Sequence, residues 1–305
     1  MIRISLVVAT YNRGEQLLRT LRSITRQTLD TKLWEAIVVN NNSTDTTERL
    51  FEDFREGEPA AVNIKMVFEG QQGLSHARNR GIAESSGEIV AFADDDEELN
   101  PDFLKQYLDF FEAHPEAAAG GGRIQPHYEY ETPKWLSPWL ERPLSALIDM
   151  GDKPRLFKGR RYPIGGNMAF RREVFEQWGT FDTELGRTGK KLLSGEEKDI
   201  FDRIRREGGK IYWVPGPYIL HLIPQSRLTP EYLGKLTKAI GTSERIRTRR
   251  SWRKYAGRLF SEGVKWGGTL VLATGYLLQG RPSKGKYLII MRRNITAGLL
   301  GLVKQ

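Results

Sequence analysis

Apolar and polar positions follow two periods along the first hundred residues. Ile4 to Ala9 is an unbroken β-rich apolar run, and Leu17, Leu18, Leu21 and Ile24 then recur at helical spacing. Ala36 to Val39 predicts a second strand, Ile64 to Phe68 a third and Glu88 to Ala93 a fourth. Between them, Asp45 with Glu48 reads as a capping pair opening a helix over Leu50, Phe51 and Phe54, and Ser75 to Ser85 reads as another helix. Asn100 and Pro101 suit the N-cap and first position of a helix carrying Phe103, Leu104, Tyr107, Leu108 and Phe111. Strands alternating with helices predict an α/β fold on a mostly parallel sheet covered on both faces. Ligands of such sheets bind beyond the carboxyl ends of the strands. The polar clusters fall there: Thr10 to Arg13, Asn40 to Asp45 and Asp94 to Glu98 each follow a strand.

From about 120 to 225 the alternation weakens. Tyr128, Tyr130, Trp135 and Trp139 lie among prolines, followed by Pro163 to Asn167 and by a Gly- and Lys-rich loop from Gly186 to Gly195. A helix over Glu196 to Glu207 and strands over Ile211 to Val214 and Tyr218 to Leu220 are expected next, and helical patterns run from Thr229 to the end. There is no internal repeat.

Composition changes this picture in two places. Hydrophobic content of 39% and charged content of 28% describe a globular chain, and the lack of cysteine excludes disulfides, thiolate catalysis and Cys-ligated zinc. The start of the chain lacks the layout of a signal peptide, so a cytoplasmic protein is expected. The net charge of +9 is uneven: from Gln225 to Gln305, 17 Lys and Arg stand against 3 Asp and Glu, a local charge of +14. The remainder carries 30 basic and 35 acidic residues. A mildly acidic body with a strongly basic tail implies an anionic partner for the tail, a membrane surface or nucleic acid. The tail's aromatic residues form no RNA-binding signature, which favours no nucleic acid.

Three consecutive carboxylates, Asp94, Asp95 and Asp96, repel one another unless water or a cation compensates. Hard oxygen ligands suit Mg²⁺ or Mn²⁺, ions that also bridge the phosphates of a nucleotide; the plain alternative is a solvated turn. Arg78 lies on the helix preceding that strand, placed to meet a diphosphate or pair with a carboxylate. Gly195 to Asp199 opens a later helix whose acidic first turn either answers the helix dipole or supplies a carboxylate that removes a proton from a hydroxyl. His221 is a metal ligand or a structural histidine.

The order of these pieces says more than any one of them. Val7 to Arg13, Val38 to Asp45, Gly73 to Ile82, Phe92 to Asp96, Gly165 to Arg172, Gly179 to Asp182 and Gly195 to Asp199 with Arg203, Pro215 and His221 together resemble the family 2 glycosyltransferases of GT-A fold, over about residues 3 to 223. The resemblance implies a doubly wound, mostly parallel sheet with helices on both faces, plus a helical basic extension. It implies a catalytic domain over 1–224, with a nucleotide-binding half to about 100 and an acceptor-binding half over 101–224; the extension is 225–305. Thr10, Tyr11, Asn12 and Arg13 would line the nucleotide pocket, with Asn40 at the base and Arg78, Asp94 and Asp95 near the donor. Asp94 and Asp96 would hold Mn²⁺ or Mg²⁺, with His221 as a third ligand. Gly166 and Asn167 would line the acceptor side. Glu197 would be the general base, with Glu196 its neighbour and second choice. Two departures stand out: Asn40 replaces an Asp found in many relatives, and Glu196-Glu197 replaces Glu-Asp.

The implied reaction is a single displacement. A sugar passes from a nucleotide diphosphate donor, a UDP-sugar first among them, to a saccharide or lipid-linked saccharide, with inversion. Trp135 and its aromatic neighbours would stack on an acceptor or seal the core. The rival readings are a metal-dependent nucleotidyltransferase, although the phosphate-gripping loop it needs after the first strand is missing from Thr10 to Gly14, and a non-catalytic nucleotide- or carbohydrate-binding module. The tail is expected to dock on the inner face of the cell membrane without crossing it. Its longest uncharged stretch, Trp266 to Gly280, is 15 residues, or about 22 Å as a helix, against a hydrocarbon core of roughly 30 Å.

Overall fold

Four apolar runs pair side by side and in parallel in a computed structural model, which describes residues 1–59, 62–159, 161–189 and 194–302. They are β1 (Ile4–Thr10), β2 (Trp34–Asn40), β3 (Ile64–Phe68) and β4 (Ile89–Asp94). Helices α1 (Gly14–Ile24), α2 (Thr47–Gly57) and α3 (Leu74–Glu84) connect them. β1 sits between β2 and β4, in a register that sets Thr10 beside Asn40 and Ala9 beside Asp94. The three polar clusters therefore emerge together at one end of the sheet.

The rest of the sheet is mixed and includes four antiparallel pairs. After β5 (Glu97–Leu99) and α4 (Phe103–Ala113) come β6 (Ala117–Tyr128), α5 (Pro138–Ser145), β7 (Arg155–Leu156), β8 (Met168–Arg171), α6 (Glu173–Trp178), α7 (Glu196–Arg206) and β9 (Lys210–Ile223). The sheet order is β3-β2-β1-β4-β8-β6-β9-β5, with β7 on β9. Its core includes Val7, Ile37, Val90, Phe92, Phe170, Phe201 and Trp213, all essentially closed to water.

Several boundaries differ from the sequence expectation. α2 starts at Thr47 rather than at Asp45, whose carboxylate instead accepts from the Thr47 amide and hydroxyl in the preceding turn. Leu50 and Phe54 are only half-buried. α4 starts at Phe103 because Asn100 is spent elsewhere: its side-chain oxygen accepts from the Tyr218 amide. The two strands expected within 211–220 are one strand, β9, running through Pro215 and Pro217. Residues 190–193 of the Gly- and Lys-rich loop lie outside the described residues.

The chain divides into two compact units. One comprises Met1–Pro126, Ile148–Glu184 and Glu196–Leu222; the other comprises His127–Leu147, Leu185–Gly195 and Ile223–Gln305. The second unit contains α5 with α8 (Pro230–Thr248), α9 (Trp252–Leu278) and α10 (Pro282–Leu300). Thr229 caps α8 by accepting from the Tyr232 amide, and Pro230 occupies the first helical position, where its missing N–H costs nothing. Leu140, Leu144, Leu233, Leu236, Leu288, Met291 and Ile295 form a separate core. Gly241 on α8 and Gly298 on α10 let those helices touch, since a Cβ at either would overlap the facing backbone. No helix among the described residues is long and apolar enough to cross a membrane.

Candidate active site

Arg78 is the centre of the site. Gly81, one turn further along α3, has no Cβ to collide with Val7, so the helix lies flush on β1 and delivers Arg78 beneath the carboxyl end of β4. The guanidinium is buried. Its Nη2 donates to Asp94 Oδ1 at 3.3 Å, and its Nη1 donates to Glu196 Oε1 at 3.1 Å and Glu197 Oε1 at 3.4 Å. One cation thus links the acidic turn after β4 to the acidic first turn of α7. Burial alone would lower its affinity for a proton, but the charges of Glu197, Asp94 and Glu196 outweigh that and hold it more firmly protonated.

Arg13 plays the matching part on the other side of the turn. Its Nη1 donates to Asp95 Oδ1 at 2.9 Å and to Asp96 Oδ2 at 3.0 Å, and the Thr10 hydroxyl donates to Asp95 Oδ2 at 2.8 Å. Burial pushes Asp95 up to about 6 despite Arg13. The Asp95 side chain is therefore tied down from two directions.

Asp94, Asp96 and Glu97 offer carboxylate oxygens that all lie within 4.8 Å of one another. Glu97 is nearly closed to water; its Oε2 accepts from the Asp94 amide at 2.8 Å, and burial, then the charges of Asp94 and Asp96, push it well above the usual carboxylate range. Gly166 makes room for it, because a Cβ there would overlap Glu97 Oε1. His221 pairs with Glu97 across β9 and β5, and its Nε2 lies 3.6 Å from Asp96 Oδ1. This donor set fits a hard divalent cation: it is all oxygen, with an imidazole at its edge, and a cation there would compensate the mutual repulsion of its carboxylates. Glu97 was not singled out from the sequence. The sequence marks it only as the carboxylate directly after the triplet; its approach to the Asp94 amide follows from β5 pairing with β9.

The two carboxylates at the start of α7 differ. Glu196 is buried, and its Oε2 has no hydrogen-bond partner. Burial and the charge of Glu197 push Glu196 up to about 8, against the opposing pull of Arg78. Glu197 keeps 17% of its side-chain surface exposed. Gly165 closes the group: a Cβ there would overlap both Glu197 Oε1 and the Arg78 guanidinium.

Other expected site residues have different surroundings. Asn12, in the left-handed region at φ 52°, accepts from the amides of Thr44 and Asp45 and so ties the turns after β1 and β2 together. Tyr11 beside it is half-buried. The Asn40 side-chain oxygen, Oδ1, accepts from the Ser43 amide at 2.9 Å. Asn167 faces inward: its amide donates to the carbonyls of Arg123 and Pro217, and its oxygen accepts from the Tyr107 hydroxyl at 2.5 Å. It fixes the wall that carries Gly165 and Gly166. Trp135 belongs to the second unit, where it packs on Tyr287 with ring centres 4.8 Å apart.

The chain matches the model of glycosyl transferase family 2 over residues 5–179. It is 28% identical over 218 residues to the glucosyl-dolichyl phosphate glucuronosyltransferase of Haloferax volcanii, a match covering 68% of this chain and 65% of that protein's length. Among solved structures, the mannosyltransferase PcManGT from Pyrobaculum calidifontis, in complex with GDP-Man and Mn²⁺, superposes with a TM-score of 0.65 at 19% identity, covering 96% of this chain and 86% of that one. The structure of S. aureus TarS 1-349 with UDP-GlcNAc gives 0.57 at 18% identity, covering 80% and 66%. The α/β sheet with its acidic turn is thus the GT-A fold.

Proposed function

This chain belongs to glycosyl transferase family 2, and on that premise we propose that it is an inverting glycosyltransferase moving a sugar from a nucleoside diphosphate donor to a hydroxyl of a saccharide or lipid-linked saccharide. The observation that carries this reading is the Arg78 bridge, which holds a cation-type carboxylate cluster and a reachable carboxylate on α7 in one site. Two of its neighbours in fold bind sugar nucleotides, one a uridine and one a guanosine diphosphate sugar. The relative in Haloferax is named for a lipid-linked acceptor. UDP-sugars are the first donors to test.

Asp94, Asp96 and Glu97 would hold Mn²⁺ or Mg²⁺, with His221 at the margin. When bound, such an ion offsets the charge that gathers on a departing diphosphate. The protein's own contribution is positional. Thr10 and Arg13 fix Asp95 and the turn, and the pocket lined by Tyr11, Asn12 and Asn40 takes the nucleotide. Glu197 accepts the proton of the acceptor hydroxyl as its oxygen attacks the anomeric carbon. The bond from that carbon to the diphosphate oxygen breaks, its electron pair leaves with the nucleotide, and configuration inverts. Glu197 suits this role better than Glu196, because Glu196 is buried and holds its proton at neutral pH. Residues 1–224 form the catalytic part in this reading, and 225–305 dock on an anionic membrane surface. The test is release of nucleotide from UDP- and GDP-sugars with and without Mn²⁺ or Mg²⁺; equal release in excess EDTA would remove the cation from the mechanism.

A further inference from the structure

The outer side of α9 is apolar, and nothing among the described residues covers it. Phe260, Val264, Val271 and Leu278 are 77%, 63%, 74% and 83% exposed, large values for such side chains. With Gly267 and Thr274 they recur four and three residues apart, one continuous strip along the helix. From Phe260 to Leu278 the strip spans about 27 Å at 1.5 Å per residue. The opposite side of α9 is already used. Glu262 faces inward and accepts from Arg258 and from Arg292 of α10, while Trp266 donates to Thr296. The helix is therefore held by one face and presents the other.

Charge decides what covers that face. Glu244 and Glu262, two of the three acidic residues of 225–305, are consumed in ion pairs within the bundle. Arg253 and Lys254 near the start of α9, Arg281 after its end and Lys286 on α10 are exposed. A second copy of this unit would bring like charge against like. An anionic bilayer supplies the opposite charge and an apolar interior together, and long basic side chains beside an apolar strip reach headgroups while their stems stay in contact with lipid.

We propose that α9 lies in the plane of an anionic lipid surface with the strip Phe260, Val264, Val271 and Leu278 inserted below the headgroups. This rests on the reading that the extension docks on such a surface, and adds which face enters. The side chains stop short of spanning: α9 lies along the interface and its buried face stays on α8 and α10.

The chain has no cysteine, so single cysteines placed at Val264 and Val271, with Glu52 on α2 as control, can each carry a polarity-sensitive dye. The labelled full-length proteins are mixed with phosphatidylcholine vesicles containing none or one third phosphatidylglycerol. Sedimentation reports docking, and dye emission reports the face. The expected result is sedimentation that requires phosphatidylglycerol and weakens with salt, with a blue shift at 264 and 271 and none at 52. A triple variant, Phe260→Ser with Val271→Ser and Leu278→Ser, should bind the vesicles on the order of 100-fold more weakly. Sedimentation without a shift at 264 and 271 overturns the inserted face while leaving docking intact. Absence of sedimentation overturns both. A shift without lipid, with a dimer mass by light scattering, overturns the proposal in favour of a second copy.

Discussion

Arg78 and Glu196 form a buried pair, Nη1 to Oε1 at 3.1 Å, in which the carboxyl group keeps its other oxygen unpartnered. The pair is one arm of a three-way contact, so its removal exposes the repulsion it conceals. Arg78→Ala should destabilise the fold by roughly 3–5 kcal/mol, the usual result of leaving buried charge unpaired. Adding Glu197→Gln should restore part of that loss, because it removes one of the charges that Arg78 compensates. Urea unfolding of the two single variants and the double variant checks this; strictly additive changes would mean that Arg78 and Glu197 do not interact.

Glu197→Gln should lower turnover by about 10² to 10⁴, the range for loss of a general base, while leaving donor affinity close to that of the wild type. Glu196→Gln should retain most of its activity, because Glu196 already holds a proton. Steady-state kinetics with donor binding measured separately distinguishes the two. A dead Glu196→Gln beside an active Glu197→Gln would reverse the assignment.

Asp96→Asn should abolish cation-dependent nucleotide release while keeping the shape of a buried side chain that accepts a hydrogen bond from Arg13. Glu97→Ala should weaken the apparent cation affinity at least about tenfold, by loss of one of three converging oxygens. Titration of Mn²⁺ against activity and against a direct binding signal reads both. Unchanged affinity in Glu97→Ala would confine the ligand set to Asp94 and Asp96.

The adjacent glycines separate the two ends of the site. Gly166→Ala presses on Glu97 and should act through cation affinity, whereas Gly165→Ala presses on Glu197 and Arg78 and should act through turnover at saturating cation. The same assays applied to both variants would show the split, and an identical profile for the pair would refute it.

Glu262 gives the helical extension an acid sensitivity. Burial raises its pKa, but hydrogen bonds from Arg258 and Arg292 and their charges win and leave it below the ordinary 4.5. A depressed carboxylate contributes stability that is fully present above about 4.5 and is lost as pH falls through its folded value. Helical signal from the extension should therefore melt at lower temperature as pH drops below about 4.5. Glu262→Gln should be less stable at neutral pH and less pH-dependent. Circular dichroism melts between pH 3 and 7 measure both effects; an unchanged pH dependence in the variant would assign the effect to other carboxylates.

The parallel half of the fold was legible because each of its strands is an apolar run ended by polar residues, and β3 matches the expected Ile64–Phe68. β6 was not. Its Ala117 to Gly122 segment has no strand signature, and its glycines are explained by what lies across from them: a Cβ at Gly121 would overlap Pro163, and one at Gly122 would overlap the Pro217 carbonyl. That information resides in distant parts of the chain. The acidic turn, Arg78 and the α7 carboxylates were legible by order and spacing, but the inward turn of Asn167 was not, because an amide aimed at backbone carbonyls looks in sequence like one aimed at a ligand. Nor was the role of Glu97, which depends on β5 pairing with β9 more than a hundred residues away.

Strand order has a consequence for the chain as it leaves the ribosome. β4, which ends in Asp94, has β1 on one side from the start, but its other neighbour is β8, encoded about 75 residues later. Until Met168 to Arg171 has been synthesised, the apolar strand Ile89 to Ala93 borders an open edge, the kind of surface that recruits other strands. The carboxylates at its tip meanwhile stay hydrated, and their enclosure waits for Gly165, Gly166, α7 and finally His221 on β9 to arrive. Nascent chains halted before residue 165 should therefore be the species that chaperones hold longest, and the acidic site should be the last part of the sheet to close.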